Sequence, residues 1–185
     1  MLSVLLIGIS LSMDAFAVTV TNAVALRPFR SRDALWMALY FGAFQALMPL
    51  AGALLGSTVA GHIMAVGPYI SFILLAVIGI RMIHEALAKD GEEEALASLT
   101  HSRLVALAVA TSIDALAVGV SFAFTPPAPG IWLSCAVIGL TTFCLTLLAG
   151  LLAGRIRLAH PRRAGILGGL VLLFLGFKFL LDGIL

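Results

Sequence analysis

The sequence predicts an all-α membrane protein with six transmembrane helices, built as two inverted three-helix repeats with both termini extracytoplasmic. Three observations carry that expectation. Of the 185 residues, 62% are hydrophobic and only 11% are charged, and the mean hydropathy is +1.15. An ordinary soluble domain has about 45–50% apolar and about 25% charged residues. This balance excludes a soluble enzyme, a nucleic-acid binder and a disordered chain. The second observation is where the few cations sit, and the third is a repeat at an offset near 100 residues.

A membrane-spanning helix takes roughly 20 apolar residues, and six stretches qualify. They cover residues 2–25, 34–57, 68–88, 104–124, 131–154 and 164–185. Each is bounded by a turn signal or a charge cluster: Arg27-Pro28, Gly61 and Gly67-Pro68, Asp90-Gly91, the run from Pro126 to Gly130, and His160-Pro161. No period-two alternation is present, which argues against a transmembrane β-barrel. The first stretch lacks the basic leader of a cleavable signal peptide and is followed by no soluble domain. Cys135 and Cys144 lie nine residues apart on one apolar stretch. That separation is too long for a disulfide along a helix, and the pattern is not that of a metal site.

The cations orient the bundle. Arg27, Arg30 and Arg32 fall in the first loop, Lys89 and Arg103 in the third, and Arg155, Arg157, Arg162 and Arg163 in the fifth. The second and fourth loops contain no Lys or Arg. Positive charge accumulates on the cytoplasmic side, so the odd loops are expected in the cytoplasm and both chain ends outside. A multi-pass membrane protein follows from this arrangement.

The repeat is specific. The segment from Ser12 to Val20 reappears from Ser112 to Val120, identical at six of nine positions, including both Ser-x-Asp-Ala cores. Gly52-xxx-Gly56 matches Gly150-xxx-Gly154 at an offset of 98, and Gly79-x-Arg81-xxx-Glu85 matches Gly176-x-Lys178-xxx-Asp182 at 97. We therefore expect a first three-helix repeat over 1–88, a cytoplasmic linker over 89–103 and an inverted repeat over 104–185. With three spans per unit, the second copy enters the membrane from the opposite face. Many secondary transporters follow this plan, with the substrate site near the midplane between repeats.

Asp14 and Asp114 fall near the middle of the first and fourth spans. Placing an ionised carboxylate at that depth costs about 2.5–3.5 kcal/mol on insertion scales, so a function is expected of both. Residues at i+3 and i+7 share the helix face of i. Asp14 then aligns with Ala17 and Thr21, extended by Ser10, while Asp114 aligns with Ala117 and Ser121, extended by Thr111. Two carboxylates facing each other cannot both ionise cheaply. A divalent cation removes the conflict, and so do protons, which suits exchange of one for the other. Carboxylate, hydroxyl and carbonyl oxygens favour hard ions such as Mg²⁺, Ca²⁺ and Mn²⁺. Met13 and Met48 are candidates for a soft thioether contribution, against the commoner role of methionine in packing.

Other polar residues have narrower readings. Asn22 and Gln45 are candidates to assist along the pathway, and Pro49 frees a backbone carbonyl in the second span. Arg81 with Glu85, and Lys178 with Asp182, have i,i+4 spacing for intrahelical pairs. The repeat places them toward opposite membrane faces, where they are candidate gates. Glu92, Glu93 and Glu94 read as a solvated loop. Gly169, Gly176 and Gly183 recur every seven residues, the mark of a tight helix-packing seam.

These segments resemble a known family. Ser12 to Val18, Phe41-Gly42 with Gln45 and Pro49, Arg81-Met82-Ile83 with Glu85, Ala110 to Ala115 and Ile166 to Val171 are similar to the MntP-type manganese efflux pumps. The resemblance runs in order along nearly the whole chain. It implies a six-helix inner-membrane exporter of Mn²⁺, with Asp14 and Asp114 at the family's membrane-embedded acidic positions. It also implies that the protein is not an enzyme and has no resident cofactor. The expected partners are the metal ion and the lipid bilayer, with no nucleic acid. Two rival readings are an exporter of another small solute such as an amino acid, and an intramembrane aspartyl protease. The protease signatures Gly-x-Gly-Asp and Tyr-Asp are absent, and the midplane lacks paired groups for an amino acid's two charges.

Overall fold

A computed structural model describes residues 1–26, 29–87, 99–154 and 161–184. All of the regular structure among them is α-helical: α1 (Leu2–Ala25), α2 (Ser31–Leu55), α3 (Ser57–Leu87), α4 (His101–Phe124), α5 (Ile131–Ala153) and α6 (Pro161–Ile184). The all-α expectation holds. Four of these helices, α1, α2, α4 and α5, are long and apolar enough to cross a membrane. Within α3 and α6 the apolar stretches run over Tyr69–His84 and Ile166–Lys178. The outer surface is greasy, with Leu54, Trp132 and Phe174 each about 70% exposed. Such exposure suits hydrocarbon rather than water.

Local chemistry sets the helix ends. Asp33 turns back to accept the Arg30 backbone N–H at 2.7 Å, and Thr100 accepts that of Arg103 at 3.4 Å. Each satisfies one of the orphan donors of a helix start. The turn between α4 and α5 passes through Gly130 at φ +85°, a conformation that favours glycine. One boundary differs from the sequence reading. Gly61 and Gly67-Pro68 were expected to form the turn before the third span, yet α3 runs unbroken from Ser57. The break falls at Gly56, with φ at +51°. A left-handed glycine reverses the chain, whereas a proline within a long helix mainly forfeits one hydrogen bond.

Close contacts fix the directions of the helices. Gly8 lies against Ile138 and Thr141, and Gly150 against Thr19, so α1 and α5 run parallel. Gly150 also meets Ala34, and Gly139 meets Gly42 and Ala46, which makes α2 antiparallel to α5. Gly79 packs on Gly169, and Gly176 on Leu75 and Phe72, so α3 and α6 are antiparallel. Gly169 and Gly176 thus form the seam read from the sequence, while Gly183 lies outside the described side chains. The C-terminal ends of α1, α3 and α5 gather with the N-terminal ends of α2, α4 and α6. That end carries Arg30, Arg32 and Arg103, and we call it the basic end.

The packing pattern is unusual in one respect. α1 packs on α5 and α6, α4 packs on α2 and α3, and α2·α5 and α3·α6 are also paired, whereas consecutive helices within either half barely touch. Exchanging α1 with α4, α2 with α5 and α3 with α6 leaves the principal contacts unchanged. The closest approach is between α2 and α4. A Cβ on Gly52 would strike the Leu116 carbonyl, and one on Gly119 would strike the Pro49 backbone. Only hydrogen side chains allow that proximity. The larger apolar cluster lies toward the basic end, with Val18, Met37, Phe41, Leu104 and Leu107 at its centre. Cys135 is buried, Cys144 is exposed, and both are free thiols.

Candidate functional site

Asp14 on α1 and Asp114 on α4 are each half-buried, and the charge of Asp14 acts on the Asp114 carboxylate. The tertiary structure therefore brings together two acids that are 100 residues apart. The charge of Lys178, from α6, acts on Asp114 as well. The Ala115 N–H donates to Asp114 Oδ1 at 2.8 Å, which steadies that carboxylate against its own helix. Among the described residues, no group of three or more His, Cys, Asp or Glu side chains comes together. Further oxygens for a cation would come, among the described residues, from hydroxyls, amides or backbone.

The serines of the two Ser-x-Asp segments behave alike. Ser12 Oγ donates to the Gly8 carbonyl at 2.6 Å, and Ser112 Oγ donates to the Ala108 carbonyl at 2.6 Å. Both are buried. Such back-bonding satisfies a hydroxyl within its own helix and eases bending there. Thr111, a candidate of the sequence reading, does the same onto Leu107 at 3.0 Å. These hydroxyls line the helix interfaces beside the acids, with their protons already committed.

The remaining sequence candidates separate by exposure. Thr21, Asn22 and Gln45 are buried, whereas Ser10 and Ser121 are exposed. Met13 is 54% exposed, on a side of α1 about 100° from Asp14, and Met48 is half-buried. Arg81 and Lys178 are exposed, while the side chains of Glu85 and Asp182 lie outside the described residues. Asn22 is not a free pathway amide. Its Nδ2 donates to the Val18 carbonyl at 2.8 Å, and its Oδ1 accepts from Arg103 Nη2 at 3.2 Å.

Two cross-helix bonds brace the acids, and neither was legible in the sequence. Gln45 Nε2 donates to the Leu11 carbonyl at 2.9 Å, three residues before Asp14. Ser71 Oγ donates to the Ala110 carbonyl at 3.1 Å, four residues before Asp114. Each acid-bearing helix is thus held one turn away from its carboxylate by a polar side chain from another helix.

Comparison with known proteins supplies the family. The family model described as "Putative manganese efflux pump" matches residues 28–180. The chain belongs to this family. A "Putative manganese efflux pump MntP" from Methanosarcina acetivorans is 46% identical over 182 residues, covering 97% of this chain and 95% of the relative. The protein of that name from Methanothermobacter thermautotrophicus is 43% identical, covering 100% and 97%. That from Bifidobacterium adolescentis is 44% identical, covering 98% and 96%. The family's description is that of a transporter, not an enzyme, and its relatives come from archaea as well as bacteria. No solved structure matches the chain.

Proposed function

We propose that this protein is a secondary transporter that exports Mn²⁺ across the cytoplasmic membrane, exchanging it for protons at Asp14 and Asp114. The observation that carries the reading is the approach of these two acids from helices with the same Ser-x-Asp-Ala sequence. Two half-buried carboxylates close enough to feel each other's charge are eased by compensating positive charge. One dication supplies it, and protons supply it in turn. The family description supports manganese as the ion.

The architecture in this reading is six membrane spans in two inverted repeats, 1–88 and 104–185, joined by a cytoplasmic linker. The exchange symmetry of the helix packing supports it. So does the gathering of Arg30, Arg32 and Arg103 at one end, which becomes the cytoplasmic face with both chain termini on the other. Alternating access then exposes the acid pair first to the cytoplasm and then outside.

The test is Mn²⁺ flux into or out of liposomes holding the purified protein under an imposed pH gradient. Wild type should move Mn²⁺ against proton flow, and D14N and D114N should each abolish coupled flux. Unchanged Mn²⁺ flux in both variants would sink the reading.

A further inference from the structure

The polar seam that holds the two acids is treated differently at its two ends. Toward the basic end, Arg103 Nη2 reaches from α4 to Asn22 Oδ1 on α1 at 3.2 Å. Asn22 is fully buried and is itself pinned to the Val18 carbonyl. Arg103, Leu107, Ala110 and Asp114 follow at i, i+4, i+7 and i+11, one stripe of α4. The guanidinium therefore stands over the same seam as the Asp114 carboxylate, about 16 Å farther along at 1.5 Å per residue. Asn22 lies about 12 Å from Asp14 by the same measure. Between this tie and the acids the seam is filled, because Val18, Thr21, Leu107, Ala110 and Thr111 are all buried.

A second tie stands beside it. Tyr40 of α2 hydrogen-bonds His101 Nδ1 of α4 at 2.9 Å, and Trp36 meets the same imidazole edge-on with ring centroids 5.4 Å apart. The N-terminal turn of α4 is thus fastened to both α1 and α2.

Among the described residues, the other end shows no equivalent tie. At the offset of 100 that relates the two Ser-x-Asp-Ala segments, the counterparts of Asn22 and Arg103 are Phe122 and Ser3. On the acids' own stripes, Ser10 and Ser121 are exposed. Among the described residues, a duplicated framework therefore carries this guanidinium–amide tie at one end only.

We propose that Arg103, held by Asn22, is the latch of the cytoplasmic gate. Closed, it seals the seam between the cytoplasm and the acid pair. Its fixed positive charge also opposes a dication entering or returning while the seal is made. To admit Mn²⁺ from the cytoplasm, the guanidinium leaves Asn22 and swings clear. This inference rests on the proposed site at Asp14 and Asp114, and on the basic end facing the cytoplasm. It assigns the gating role to a residue pair with no repeat-related copy, not to Arg81 or Lys178.

The experiment reads closure directly. T21C is introduced in a C135A/C144S background, at a buried position between the latch and Asp14. Labelling by a membrane-impermeant thiol reagent is timed in inside-out vesicles. With Arg103 present, labelling should be slow. R103A and, independently, N22A should each accelerate it roughly tenfold, as expected for loss of a charged hydrogen bond, and R103K should fall between. N22A keeps the test decisive where R103A fails to fold. Equal rates with and without the tie, or rapid labelling while it is intact, overturn the latch. Acceleration in right-side-out vesicles alone also overturns it, by placing the tie on the outer face. Labelling does not depend on metal binding, so the latch and the acid-pair site can each fail alone. Loss of flux in D14N and D114N beside unchanged labelling in R103A would retire the latch and keep the site. The latch as a gate for Mn²⁺ also falls if flux survives in both Asp variants.

Discussion

Gln45 holds α1 by its backbone: its Nε2 donates to the Leu11 carbonyl at 2.9 Å, one turn before Asp14. The amide is 1% exposed, so no water competes for that carbonyl. Q45L keeps the volume and removes the bond. The expected loss is about 1 kcal/mol of stability, read as a lower thermal unfolding midpoint in lipid nanodiscs. A midpoint equal to wild type would show that the bond does not brace α1.

The two Ser-x-Asp serines should matter far less for transport than the acids beside them. Their hydroxyls serve carbonyls of their own helices. S12A and S112A are expected to retain Mn²⁺ flux within about threefold of wild type, since a helix-internal bond contributes about 1 kcal/mol or less. Complete loss of flux in either would make the hydroxyl a ligand.

The α2–α4 contact leaves no room for a methyl group. G52A and G119A drive a Cβ into the backbone of Leu116 and Pro49, respectively. Each should cost about 3 kcal/mol or more, seen as loss of monodisperse protein in size-exclusion chromatography. G130A is the comparison, because nothing lies within 4 Å of its Cβ position. Only the backbone of Gly130 opposes that change, because φ +85° with ψ 154° is a region essentially reserved for glycine, at roughly 1–3 kcal/mol.

Thr146 is fully buried, and its Oγ1 has no hydrogen-bond partner among the described residues. T146V replaces the hydroxyl with a methyl of similar size. It should stabilise the protein by about 1 kcal/mol, measured as a raised unfolding midpoint. A lowered midpoint would mean that the hydroxyl is bonded in the membrane.

Much of this fold was legible because apolar runs and charge clusters act locally. The starts and stops near Ala25, Phe124, Ile131 and Ala153 follow from such signals. The α2–α3 junction was not, since Gly61, Gly67 and Pro68 look like stronger breakers than Gly56. Only the backbone geometry shows which glycine turns left-handed. The acids stood out through the cost of placing them in lipid. The duplication hinted that they meet, but their proximity required the packed helices. Helical periodicity also put Ser10 and Ser121 on the acids' faces, yet it does not say how far neighbouring helices cover a face. Arg103 and Asn22 are 81 residues apart, and a cation beside a loop reads first as a topology signal. Nothing local marks such a pair.

The cross-over packing of α1 onto α5 and α6, and of α4 onto α2 and α3, has a consequence for how the molecule is made. Neither half of the chain encloses an interior of its own. As the ribosome delivers the first three helices, the Asp14 face of α1 has to wait, uncovered, for segments still unsynthesised. The two halves should therefore mature as mutual chaperones, each inert when expressed alone and competent when the two are co-expressed as separate fragments. Under the proposed inverted-repeat plan, a single-copy ancestor would have had to work as a pair of chains inserted in opposite directions.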